Sequence, residues 1–342
     1  MVNKLKVIEK VYRKHMGESD FSKKKELCYK YYEELKEELL TDRIDFCLRE
    51  FYKRMYNNFI FYGIYQSIET GNMDYMLNAI FQGNRMGTII ANSIQGPFDQ
   101  SENIIRIAFA FACNDWPLIE KLMPYSLKKS FNGRYFPHYN MIYALIYNEK
   151  NLELEAKQEL QHFIKKKLSV FDSAFSCYLL ALAEKDIFSI EENLQKMCVG
   201  LSKANWLHEE TYFSMNYIEL GRSVALFAHG MYHLAYKVLE TDKFKEIPLP
   251  THKSFIKEYE EFNGMKNFPK GENLFIFDSK DIFLNNFTNI DIIPQVTVFE
   301  SRGEIFHDAA LFLKTLLYNM KRNKLIDFEE KEGGIYVFKE IR

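Results

Sequence analysis

His229 and His233 stand four residues apart, a spacing that puts both imidazoles on one helix face and can ligate zinc. The pair reads His-Gly-Met-Tyr-His. It lacks the glutamate after the first histidine that zinc hydrolases use as a base, and a glycine lies between the rings. His208-Glu209-Glu210 could add ligands only if the fold carried it close. The expectation is no metal site, with the two histidines in capping, core or surface roles. Glu209, Glu210 and Glu219, with Arg222, lie along a stretch read as one helix from Tyr212 to Ala228. Paired-carboxylate chemistry would need two acids facing one another in an apolar pocket. Glu219 and Arg222, three apart, suit a surface ion pair instead.

Other candidate chemistry is equally sparse. Gly83-Asn84-Arg85-Met86-Gly87 lacks the following Lys-Ser/Thr and the preceding strand of a phosphate loop. Its glycines suit a close helix contact or a kink. The basic triplets Lys23-Lys24-Lys25 and Lys165-Lys166-Lys167 read as solvated faces, the second complementing the carbonyls at a helix end. No Gly-x-Ser-x-Gly element is present. Cys28, Cys47, Cys113, Cys177 and Cys198 are odd in number and form no Cys-x-x-Cys pair, so buried thiols in a reducing compartment are expected. Trp116 and Trp206 sit near helix junctions, suited to packing between hairpins or to anchoring a partner. No catalytic, cofactor-binding or metal residue is assigned from this inventory.

The elements that must position these residues are mostly helices. Gly and Pro are scarce, 15 and 8 among 342 residues, and 47% of the chain is apolar. Aromatics reach 16%, with 30 Phe and 22 Tyr. A net charge of -2 gives no nucleic-acid footprint. No apolar run approaches the ~18 residues of a spanning helix, and the charged first residues lack a signal-peptide core, so a cytoplasmic protein is expected. Three junctions, Cys113-Asn114-Asp115-Trp116, Asn148-Glu149-Lys150-Asn151-Leu152 and Glu184-Lys185-Asp186-Ile187, each follow an apolar helical run and open an amphipathic one. Asp115, Asn151 and Asp186 lie 36 and 35 residues apart and are expected at helix starts. That period is the signature of stacked antiparallel helical hairpins. Thr70-Gly71-Asn72 and His229-Gly230 extend the junction series outward.

Finer signals fill in the ends. Asn84, Gly87, Asn92 and Gly96 loosen the region before the repeats. Capping boxes are read at Asp99 with Glu102 and at Ser189 with Glu192, and Asp115 caps a helix with Pro117 in its first turn. After Pro248-Leu249-Pro250 a helix is expected over 251–263, then strands at Leu274-Phe275-Ile276-Phe277 and at Val296-Thr297-Val298-Phe299, and a helix near 305–321. Leu325 to Phe328 and Ile335 to Phe338 flank Glu332-Gly333-Gly334 as a hairpin. The reading is mainly α, an α-solenoid-like stack with a small α/β element at its C-terminal end. It divides as 1–98, an N-terminal helical region; 99–265, the hairpin repeats; and 266–342, the α/β element.

Residues 103–235 carry a resemblance. The stretches Arg106-Ile107-Ala108-Phe109-Ala110-Phe111-Ala112-Cys113-Asn114-Asp115, Tyr143-Ala144-Leu145, Tyr178-Leu179-Leu180-Ala181-Leu182-Ala183-Glu184-Lys185-Asp186 and Gly221-Arg222-Ser223-Val224-Ala225-Leu226 resemble the immunity protein 49 family. Those are helical proteins found beside polymorphic bacterial toxins. The resemblance implies a cytoplasmic antidote that binds one cognate toxin and blocks it, without catalysis or cofactor. It transfers no toxin-binding residue. A tetratricopeptide-like peptide receptor or scaffold, and a helical enzyme using His229 and His233, are the alternatives.

Overall fold

The computed structural model describes residues 6, 9–10, 21–39, 44–93, 103–127, 129–130, 133–204, 218–301, 303–332 and 335–342. Helix accounts for 65% of it. The chain opens with α1 (Phe21–Glu38), α2 (Ile44–Thr70) and α3 (Asp74–Asn92). Gly71, at φ 74°, turns the chain between α2 and α3. The expected loosening at Asn84 and Gly87 does not occur, because α3 runs on to Asn92 with both residues buried. Gly83 lets α3 approach α2: a Cβ there would lie 2.6 Å from Ile60 Cγ1.

The repeats follow as α4 (Ile104–Ala112) with α5 (Trp116–Leu122), α6 (Phe136–Tyr147) with α7 (Lys150–Phe163), and α8 (Val170–Glu184) with α9 (Ile187–Lys203). Their three junctions share one geometry. Asn114, Asn148 and Lys185 adopt left-handed φ of 54°, 56° and 56°. The next N–H in each case, from Asp115, Glu149 and Asp186, reaches back to an alanine carbonyl: Ala110, Ala144 and Ala181, at 2.8, 3.0 and 3.0 Å. This bond closes the last turn of a helix and satisfies an otherwise orphaned carbonyl. Asp115 and Asp186 are N-cap residues, and Asn151 is the second residue of α7. The capping details differ from expectation. Asp186, not Ser189, caps α9 by accepting from the Ser189 N–H at 3.2 Å. Asp115 occupies the cap position of α5 without a side-chain cap bond.

Beyond α9 come α10 (Ile218–Ser223), α11 (Leu226–Val238), α12 (Thr241–Lys245), α13 (Lys257–Met265) and α14 (Ile282–Asn286). The expected helix from Tyr212 to Ala228 is broken at Val224-Ala225, and Ala225 N bonds Ser254 O instead. His229-Gly230 is not a junction but lies inside α11. Gly230 is needed because α11 packs directly on α4: a Cβ would lie 2.0 Å from Ala108 O. The helix expected over 251–263 begins later, at Lys257.

The C-terminal end holds β1 (Val298–Ser301), β2 (Glu304–His307), α15 (Ala309–Arg322), β3 (Ile326–Lys331) and β4 (Ile335–Ile341). β1 pairs antiparallel with β2, and β3 with β4, as two separate ribbons. The helix expected from Ile305 starts only at Ala309, capped by Asp308, because Ile305 to His307 pair with β1. Leu274 to Phe277 are not a strand of a sheet. Phe283 of α14 and Phe287, which follows that helix, pack on Phe51 of α2, and Tyr52 donates to Phe287 O at 3.1 Å, so this end of the chain closes over the first helices. No helix among the described residues is long and apolar enough to cross a membrane. The capping box at Asp99 and Glu102 lies outside the described residues.

Candidate functional site

The histidine pair does meet a carboxylate, but not one that the sequence singled out. α11 carries His229 and His233, and α13 brings Glu260 between them, all three buried. His229 Nδ1 lies 2.5 Å from Glu260 Oε1, and His233 Nε2 lies 2.8 Å from Oε2. The backbone N–H of Ile256 donates to His229 Nε2 at 3.2 Å. That ring therefore carries its proton on Nδ1 and donates to Glu260. His233 Nδ1 faces Asn114 Oδ1 at 3.0 Å. The Asn114 amide is oriented by its Nδ2, which donates to Pro269 O at 2.9 Å. Both His233 nitrogens thus face oxygen atoms, one of them in the Glu260 carboxylate.

Burial alone would raise the Glu260 carboxyl, yet it is lowered from 4.5 to about 2 by the charge of His233 and by hydrogen bonds from both histidines. Phe255 stacks on His229 with ring centres 4.1 Å apart, and Tyr259 donates to Ala112 O at 2.6 Å. Burial pushes the Tyr259 phenol well up. The cluster ties α11, α13, the first junction and the loop at Pro269 together. Its four imidazole nitrogens all point at protein atoms.

A second buried pair lies beside it. Arg85, from the glycine-flanked stretch of α3, donates through Nε and Nη2 to Asp115, each at 2.7 Å, and through Nη1 to Thr288 O at 2.8 Å. Its guanidinium also lies 4.0 Å from the Phe81 ring centre. The stretch read as a weak phosphate-loop candidate is the middle of a helix, and its cation neutralises the first repeat junction. A third cluster joins α6 to α8. Ser176 donates to Asp172 O at 2.8 Å, so its contact with His138 Nε2, also 2.8 Å, must be donated by the ring. Burial pulls His138 down to about 3, and Phe175 stacks on it at 4.5 Å. A neutral ring that donates to serine cannot accept the serine proton, so this pair is not an activated nucleophile.

The remaining candidates are placed as follows. Lys24 is buried, contrary to the solvated-face reading of its triplet, and burial lowers its amine. It lines a narrow slot with Leu27, Cys28, Tyr31, Met55 and Phe59, where burial pushes the Cys28 thiol up to about 12. Lys165, Lys166 and Lys167 are exposed in the turn after α7. All five cysteines are thiols rather than disulfides, four of them buried. Trp116 packs edge-on against Phe111 at 5.5 Å, with Lys237 of α11 over its ring at 4.7 Å. Arg222 donates to Ser202 O at 2.7 Å. Trp206, His208, Glu209 and Glu210 lie outside the described residues, as does the side chain of Glu219. Glu260, Asn114 and the Arg85–Asp115 pair escaped sequence reasoning because their partners lie 27 to 119 residues away with no local spacing to mark them. Comparison of the chain with protein-family models, curated proteins and solved structures returned no match.

Proposed function

We propose that this chain is a binding protein that neutralises a cognate bacterial toxin in the cytoplasm by stoichiometric occlusion, as its resemblance implies. The observation that supports binding over catalysis is the fate of its acid–base residues. His229, His233 and Glu260 are closed on one another in the core and hold four segments together, so this constellation of acid–base residues serves packing. The hairpin stack supplies the surface. Leu154 on α7 and Phe188 on α9 stand 61% and 74% exposed on the second helices of successive hairpins. Tight inhibition needs such apolar or aromatic anchors within a polar rim.

The test is a titration of purified toxin from the neighbouring gene. Neutralisation should reach equivalence near one to one, and Phe188→Ala should weaken it about tenfold or more. Neutralisation at strongly substoichiometric amounts, or no complex with any neighbouring toxin, sinks the proposal. A peptide-receptor reading has its own support in the segment after α13.

A further inference from the structure

Residues 272–278 lie along α3 as a peptide lies in a receptor. Their side chains alternate, with Phe275 and Phe277 buried and Ile276 exposed. No strand among the described residues pairs with them. Side-chain amides read the backbone instead. Asn78 Oδ1 accepts from Glu272 N at 2.9 Å. One turn further along α3, Gln82 Oε1 accepts from Phe275 N at 2.9 Å and its Nε2 donates to Phe275 O at 3.4 Å. Asn285 of α14 repeats the pattern on Phe277, at 2.8 and 3.3 Å, and Asp278 N donates to Tyr29 OH at 3.1 Å. An amide presenting both a donor and an acceptor imitates a neighbouring strand, so the segment needs no sheet.

Two aromatic sockets complete the groove. Phe275 stacks on Phe59 of α2 at 4.5 Å and lies 5.7 Å from Tyr62. Phe277 meets Tyr29 of α1 edge-on at 5.4 Å. The segment enters through a strained turn. Asn267 and Phe268 both hold positive φ, 56° and 52°, an uncommon conformation for a bulky residue. Gly271 then passes so close to α3 that a Cβ would lie 2.5 Å from Phe81 Cβ.

We infer that the face formed by α1, α2 and α3 is a peptide-reading groove, occupied in cis by residues 272–278. Its trans ligand is an extended segment of a partner protein with aromatic residues at alternate positions. Backbone reading by amides is indifferent to sequence, so specificity rests on the two sockets. A partner segment would exchange contact for contact with the resident one. The resident segment is tethered, with an effective concentration of order millimolar, so it holds the groove until a partner docks elsewhere and presents its own segment at comparable concentration. This stands apart from the toxin reading, because the groove can be tested without any toxin.

The probe is a fluorescein-labelled peptide with the sequence of residues 271–279, titrated into full-length protein. Phe277→Ala and, separately, Phe275→Ala weaken the resident segment while leaving its backbone readers, Gln82 and Asn285, and both sockets in place. Either variant, with unchanged circular dichroism, should bind the peptide saturably and about tenfold tighter than the wild-type chain does. Adding Gln82→Ala, or replacing both peptide phenylalanines by alanine, should remove that binding. The proposal is overturned if natively folded variants take up no peptide, or if they bind the alanine peptide equally well. It also falls if they dimerise and take up no peptide, which would make the groove a site of exchange between copies.

Discussion

Glu260 places a negative charge where water cannot reach, and His229 and His233 hold it there. Removing the carboxylate costs more than the cluster contributes, because the imidazole donors it satisfied stay buried without a matched acceptor. Glu260→Gln should therefore destabilise the chain by about 3 kcal/mol, read as a shift in urea midpoint at pH 7. The pH dependence has a definite sign. The folded carboxyl lies near 2 against 4.5 for the ordinary group. Its contribution is fully present above 4.5 and is lost as pH falls toward 2. Midpoints measured from pH 6 to pH 3 should fall more steeply for wild type than for Glu260→Gln. Parallel slopes would show that the carboxylate is not held by the histidines. Sequence reading rejected a zinc role for His229 and His233 from the missing local glutamate. It could not see that Glu260 would arrive from a helix some 30 residues away.

The junctions were legible at the level of elements because their signals are local: a polar pair after an apolar helix, at nearly constant spacing. The geometry behind them was less so. Lys185 adopts the same left-handed conformation as Asn114 and Asn148, although lysine gives no sequence hint of it. His229-Gly230 was read as another junction because it continues the junction series outward. Here it permits a close helix crossing instead. The two readings predict opposite costs. A glycine at a helix end tolerates alanine with a small loss, whereas Gly230→Ala drives a methyl into the Ala108 backbone. It should cost about 3 kcal/mol or prevent folding, and thermal melts of the purified variant decide this. Helix caps behave more gently. Ser169 caps α8 by accepting from Asp172 N at 3.1 Å, so Ser169→Ala should cost about 1 kcal/mol in the same assay.

At the scale of the molecule, the chain's two ends are interlocked. Residues after α13 read as a mixed appendage in sequence, and the ribbons and α15 bear out its composition. What periodicity could not supply was their packing. Phe283 is fully buried against Tyr32 of α1 and Phe51 of α2, at 5.6 Å in each case. Arg85 reaches past Asp115 to Thr288 O, and Val296 N bonds Lys121 O beside the first repeat hairpin. A perturbation at Phe283 should therefore be felt in the repeats, not only where it is made. Phe283→Ala should cost about 3–5 kcal/mol, the range for emptying a buried phenylalanine site. Tryptophan fluorescence includes Trp116 at the first repeat junction, remote in sequence from Phe283, while far-UV circular dichroism reports all helices. If the ends and the repeats share one cooperative unit, both signals should move to the same lower urea midpoint in Phe283→Ala. A fluorescence midpoint left at its wild-type value, with circular dichroism lost in two steps, would show that the repeats stand without the closure at Phe283.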